Sequence, residues 1–175
     1  MKRIMLPFIF VAIALFPISA QAPLPSTASV DIGFSPGGTA LAVVEKAIDA
    51  AHSEILMACY EFTSIEITKA LEAAAQRNVK VCVVVDWKAS HDKYSEIEAL
   101  VRAGIPVRLD QHYAIFHHKF MIIDEADLET GSFNFTEAAI KHNAENAIVL
   151  WNVPEVANAY AREWRRLWEE STPAE

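Results

Sequence analysis

The run Val79–Asp86, VKVCVVVD, constrains the fold more than any other stretch of the chain. It is short, almost continuously apolar and rich in β-branched residues, the pattern of a strand covered on both faces. Glu54–Phe62, EILMACYEF, reads as a second buried strand. Between the two, Thr63 is expected to cap a helix with Glu66 completing a capping box, and Ile67, Ala70, Leu71 and Ala74 face inward. Two buried strands joined through one amphipathic helix call for cover on both sides of a sheet. The expectation is one α/β domain: a mixed, mostly parallel β-sheet flanked by helices on both faces, an α-β-α sandwich, with Val79–Asp86 central.

The other segments fit this frame. Ser29–Phe34 reads as a first strand, and Ser35-Pro36-Gly37-Gly38 as a turn into a helix over Thr39–His52. A third helix is expected over Tyr94–Ala103, stopped by Gly104, followed by a short strand at Val107–Leu109. Two strands, Phe116–Ile123 and Glu129–Phe133, flank a turn around Asp124–Asp127. A short helix over Thr136–His142, a strand over Asn146–Trp151 and a last helix opening at Pro154 complete the order. On that helix Val156, Tyr160, Trp164, Leu167 and Trp168 form one apolar face.

Residues 1–22 stand apart. Lys2 and Arg3 precede an apolar run of 15 residues, Ile4–Ile18, and Ala20-Gln21-Ala22 supplies a small-residue cleavage pattern. This is the layout of a secretory signal peptide, with cleavage expected after Ala22 and a periplasmic or secreted product. The domain is then 23–175, or 175 − 22 = 153 residues. Without Lys2 and Arg3, 13 basic residues face 23 acidic ones, a formal charge of 13 − 23 = −10. Such a chain does not draw in polyanions at long range, so any contact with nucleic acid rests on local positive charge. Cys59 and Cys82 lie in the two buried strands. Export permits a disulfide, but two buried free thiols are the expected state.

The chemistry concentrates in Ile115–Asn134, IFHHKFMIIDEADLETGSFN. Side chains alternate along a strand, so His117 and Lys119 share one face while His118, Phe120 and Ile122 share the other. An imidazole beside an ammonium suits a bound anion, such as a phosphodiester. If Glu129–Phe133 is extended, Ser132 and Asn134 present a hydroxyl and an amide together, and Gly131 lets the backbone approach a ligand. Asp124 has the opposite parity from Lys119 and reads as a turn former or supporting residue. His118 and His142 read as structural or surface histidines. His91-Asp92-Lys93 repeats the H-x-K spacing without the aspartate or the G-S-x-N that follow the first, and reads as a coincidence.

The pattern His117-x-Lys119-x4-Asp124-x6-Gly131-Ser132-x-Asn134 resembles the HKD motif of the phospholipase D superfamily. A chain of this size with one motif and a signal peptide is similar to the small secreted or periplasmic bacterial endonucleases of that superfamily. The resemblance implies a homodimer whose two-fold axis brings two copies of His117 together. It also implies a phosphohistidine route, with His117 as nucleophile, the second histidine as acid and then base, and Lys119, Ser132 and Asn134 on the phosphoryl oxygens. No metal or other cofactor is implied. Glu145, in HNAEN before the strand at Asn146, matches the region where the family carries an acidic residue and is expected to orient His117.

Ligands of open α/β sheets gather at the carboxyl ends of strands, and two such ends are polar here: Tyr60-Glu61-Phe62, and Trp87-Lys88 running to Lys93. Trp87, Lys88 and Lys93 are candidates for a nucleic-acid groove, Trp87 stacking on a base; His112 and Tyr113 precede the motif strand and are placed to line it. The leading expectation is a metal-independent endonuclease without sequence specificity, acting on DNA, with RNA as a second candidate substrate. The alternatives are a phospholipase D-type enzyme on cardiolipin-like lipid and a nucleic-acid-binding module without catalysis. No stable membrane association is expected once the signal is removed.

Overall fold

The computed structural model describes residues 23–174. The expected signal peptide lies outside the described residues. The chain opens with β1 (Ser29–Ser35), α1 (Thr39–Ala50), β2 (Glu54–Cys59), α2 (Ile65–Gln76) and β3 (Lys80–Asp86). Next come α3 (Trp87–Ser90), α4 (Ile97–Arg102), β4 (Val107–Asp110), β5 (Lys119–Ile123) and β6 (Asp127–Gly131). It ends with α5 (Glu137–Lys141), β7 (Glu145–Trp151), α6 (Pro154–Glu170) and β8 (Thr172–Pro173).

All eight strands form one mixed sheet in the order β1-β7-β6-β5-β2-β3-β4-β8. The mixed α/β sheet is as expected, but its parallel part is smaller. Only β2–β3 and β3–β4 pair in parallel, and the other five pairings are antiparallel. Chain length between strands accounts for the β2–β3, β3–β4 and β5–β6 pairings. Helices α2 and α4 provide the crossovers that parallel pairing needs, whereas β5 and β6 are joined by a tight turn that forces antiparallel pairing. In that turn Asp124 and Glu125 have φ of 52° and 57°, and Ala126 N donates to Ile123 O at 3.0 Å. Two consecutive positive φ values are the mark of a type I′ hairpin.

Alternation along the strands divides the core between the two sheet faces. Ile55, Met57 and Cys59 of β2 face the layer built by α1, α2 and α4, with Val83, Met121 and Val149. Leu56 and Ala58 face the other layer with Cys82, Val84, Phe120 and Ile122, where α6 contributes Ala157, Trp164 and Leu167. Trp164 Nε1 fixes α6 to the sheet by donating to Met57 O at 2.8 Å. Cys59 and Cys82 therefore sit on opposite faces, and both are free and buried.

Several boundaries differ from the sequence reading for local reasons. Ser64, rather than Thr63, caps α2 by accepting from Ile67 N at 3.2 Å. The expected helix over Tyr94–Ala103 starts only at Ile97, because Asp92 turns the chain by taking Tyr94 N at 2.8 Å and Ser95 N at 2.9 Å. β8, an edge strand of two residues on β4, was too short to leave a pattern. β5 begins at Lys119, so His117 stands in the segment before the strand. β6 ends at Gly131, where Ser132 N and Phe133 N both donate to Asn146 O at 3.1 and 3.2 Å. Two successive amides on one carbonyl unpair the ladder, as at a β-bulge, and turn the chain out of the sheet.

Candidate active site

β5 runs antiparallel to β2 with Lys119 opposite Cys59, so the motif lies at the carboxyl end of β2. The segment leading into β5 is fastened by two buried aspartates. Asp86, at the end of β3, caps α3 by accepting from Ala89 N at 2.8 Å and takes Phe116 N at 2.9 Å on its other oxygen. Asp110, at the end of β4, accepts from His112 N at 3.1 Å and Tyr113 N at 3.3 Å. With Phe116 buried beneath it, exposed His117 projects from a held backbone.

The His117 ring packs on Tyr60, the residue after β2, with centroids 4.9 Å apart. Lys119 Nζ lies 5.5 Å from the same Tyr60 ring and donates to His117 O at 3.2 Å. One aromatic ring thus carries both functional side chains. Lys119 is half-buried. Burial lowers its pKa, and the carboxylates of Glu61 and then Glu145 oppose that shift and favour the ammonium.

Each carboxylate holds a neighbouring donor. Glu61 Oε2 accepts from Asn134 Nδ2 at 3.4 Å, and Asn134 Oδ1 is buried without a partner. Glu145 Oε2 accepts from Ser132 Oγ at 2.6 Å, and its Oε1 accepts from Asn143 Nδ2 at 3.1 Å. Ser132 Oγ in turn accepts from Asn146 N at 3.1 Å. Ser132 and Asn134 thus pair with the two carboxylates whose fields act on Lys119. Within one chain the Glu145 carboxylate engages Ser132 and Asn143; the expected hydrogen bond to His117 is not formed. Gly131 also serves another purpose than the one expected. A Cβ there would meet Asn146 O at 2.2 Å, so its close approach is to β7 rather than to a ligand.

Asp124 lies at the opposite end of β5 from Lys119. Its Oδ1 accepts from Ser53 N, Ser53 Oγ and Glu54 N at 2.8, 2.7 and 2.9 Å, and its Oδ2 accepts from His52 N at 2.8 Å. Burial raises its pKa, and the bonds from residues 52–54 more than offset that, bringing it to about 2. It staples the hairpin to the start of β2. His118 faces α6, edge-on to Phe116 and Phe120, and burial lowers its pKa.

The groove candidates separate. Lys88 lines a cavity of about 460 Å³ with Tyr60, Glu61 and Tyr94. Trp87 packs on His91 with centroids 4.6 Å apart and lines a different cavity of about 870 Å³, toward Leu109 and Pro173. Lys93 lines that second cavity as well, with its Nζ 4.5 Å from the Tyr94 ring. Tyr113 turns toward α6, where its Oη donates to Glu170 at 3.1 Å, and His112 packs edge-on to Tyr113 with centroids 5.0 Å apart. Tyr60 and Glu61 are site residues that the sequence marked only as a polar strand end, and Asp86 is one to which it gave no role. Their signal was polarity at the ends of otherwise apolar strands.

A family model described as cardiolipin synthase, PLD-like domain, matches residues 44–168. The crystal structure of a phospholipase D family member, Nuc from Salmonella typhimurium, aligns with a TM-score of 0.81 at 41% identity, covering 84% of this chain and 98% of that one. Among curated relatives, phospholipase D of Rickettsia conorii is 38% identical over 139 residues, 79% of this chain and 69% of the relative. Mitochondrial cardiolipin hydrolase of the dog, Canis lupus familiaris, is 33% identical over 160 residues, 91% of this chain but 63% of the relative. The matched segment runs from α1 to α6 and encloses every residue of the His117 site, and the chain belongs to the phospholipase D-like family.

Proposed function

We propose that the protein is a metal-independent phosphodiesterase that cleaves DNA and RNA as a homodimer, through a phosphohistidine at His117. The observation that carries this reading is the shared cradle: His117 and Lys119 on Tyr60, flanked by Ser132 and Asn134. The likeness to Nuc, over nearly all of that chain, supports it.

Neutral His117 attacks phosphorus and forms a P–N bond as the P–O bond to the leaving group breaks. The protonated His117 of a second copy gives its proton to the departing alkoxide. Water then attacks the phosphohistidine, the second imidazole takes the proton of that water, and the P–N bond breaks to release a phosphomonoester. Lys119, Ser132 and Asn134 hold the non-bridging oxygens as negative charge builds on them.

The dimer is supported by the surface as well as by the single motif. Helix α6 covers β2, β5 and β6 on its face of the sheet, while α1 covers β1 and β7 on the other. On the α6 side β1 presents Val30, Ile32 and Phe34 at 47%, 60% and 60% exposure. Phe34 pairs with Asn146, which bonds Ser132, so this apolar stripe is continuous with the site. In the proposed dimer a second copy covers this stripe and brings its own His117 to the site.

A second reading, hydrolysis of cardiolipin-type lipid, is favoured by the printed names of the curated relatives. No helix among the described residues is long and apolar enough to cross a membrane. Export rests on residues 1–22 and belongs to the proposal. Plasmid DNA, RNA and cardiolipin liposomes incubated with the protein in EDTA separate the readings. Nicking that survives EDTA and falls at least about 10³-fold in His117→Ala is expected. Lipid turnover without nucleic-acid cleavage contradicts the nuclease reading.

A further inference from the structure

Among the described residues the lysines without an ion pair, Lys119 of the catalytic site aside, lie in one region. Lys46 pairs with Asp31, Lys80 with Glu54 and Lys141 with Glu137. Among the described residues Lys69, Lys88 and Lys93 enter no ion pair, and all three border cavities at the carboxyl ends of β2 and β3. The cavity of about 460 Å³ starts at Tyr60, under His117. It shares Thr63, Tyr94 and Ala138 with a larger one of about 800 Å³ lined by Ile65, Lys69, Lys93 and Lys141. The two form one trough leading away from the catalytic residues, between the first turn of α2 and α5.

Its walls combine charge with bare flat or apolar surface. Tyr94 is 65% exposed and Ile65 53%, large side chains that a chain with no ligand here would gain by covering. The carboxylates of the trough are partly occupied: Glu61 holds Asn134, Asp92 takes Tyr94 N, and Glu137 holds Lys141. Glu66, which accepts from Ser64 Oγ, and Glu96 also line the walls, so five carboxylates face four lysines and positive charge is confined to the immediate surroundings of Lys69, Lys88 and Lys93. Lysines spaced along a groove beside an exposed aromatic ring are the two components of a platform that binds single-stranded nucleic acid without reading sequence.

We infer that the trough from Tyr60 past Tyr94 to Lys69 is the track of a single nucleic-acid strand, seating the nucleotides next to the scissile phosphate. This inference rests on the nuclease reading above and replaces Trp87 with Tyr94 as the stacking residue. Lys88 sits at the catalytic end, Lys93 in the middle over Tyr94, and Lys69 at the far end. A small phosphodiester reaches His117 without using the track, whereas an oligonucleotide needs it.

The test compares Tyr94→Ala and Lys69→Glu with the unaltered protein on two substrates in EDTA: a 30-nucleotide single-stranded DNA and bis(p-nitrophenyl) phosphate. The ratio of kcat/KM, oligonucleotide over small diester, is expected to fall about tenfold in each variant. Binding of the same oligonucleotide to His117→Ala protein, read by fluorescence anisotropy, is expected to lose about 0.7 in its log–log salt slope when Lys69 is replaced. Both side chains are exposed, and the small diester serves as the folding control. A ratio and a salt slope that do not move overturn the track while leaving the nuclease reading in place. A wild-type protein that cleaves the small diester but no nucleic acid overturns both.

Discussion

Glu129 buries a carboxyl in the core beneath the catalytic end. It lies on β6 between Met121 and Val149, is 1% exposed, and leaves Oε2 without a partner. Burial alone pushes its pKa from the ordinary 4.5 up to about 8. The folded chain therefore holds a proton that the unfolded chain gives up at lower pH. The stability this group supports is complete below about pH 4.5 and is lost as pH rises toward 8, by at most about 1.4 kcal/mol per pH unit. Glu129→Gln keeps the shape and removes the titration. Thermal melts should show the wild type losing stability relative to the variant as pH rises from 5 to 8, so that the variant is the more stable protein at pH 8. Parallel curves would contradict the assignment. Within one chain Glu145 accepts from Ser132 Oγ, the hydroxyl proposed to hold a phosphoryl oxygen, and its field favours the Lys119 ammonium.

Elements place the site through their ends. β3 ends in Asp86, which serves α3 and the Phe116 backbone at once, so the strand, the short helix and the segment carrying His117 share one carboxylate. Asp86→Asn is nearly isosteric, but its amide nitrogen must face one of two N–H donors. A loss of about 1–3 kcal/mol in denaturant unfolding is expected, with a lower kcat as His117 loses its fixed position; a variant that unfolds and turns over like the wild type would show that Asp86 does not hold the segment. Much of this scale was legible in the sequence. Apolar runs gave β2 and β3, helical spacing gave α1, α2 and α6, and strand parity separated Lys119 from Asp124. What stayed hidden depends on partners distant in sequence. The sheet became mainly antiparallel because β5 returns through a tight turn into β6, and β7 pairs antiparallel with both β6 and the distant β1. The bulge after Gly131 needs Asn146, and the cradle on Tyr60 needs β2 beside β5. Alternation was assumed to run through His117 and through Ser132, yet both lie just beyond their strands. They converge with Lys119 and Asn134 through tertiary contacts rather than through the period of a strand.

The whole molecule is acidic, with one motif per chain, and every residue of the cradle opens at one end of the sheet. His117 is exposed there, and the apolar stripe Val30, Ile32 and Phe34 begins beside the Ser132 partner Asn146. On the proposed reading a single chain is half of a catalyst, with the second imidazole supplied by another copy. Specific activity toward bis(p-nitrophenyl) phosphate in EDTA, measured across protein concentration beside sedimentation velocity, tests this most directly. The account predicts activity per chain that tracks the fraction of dimer and vanishes as the protein dissociates. Full activity from a sedimenting monomer would contradict it.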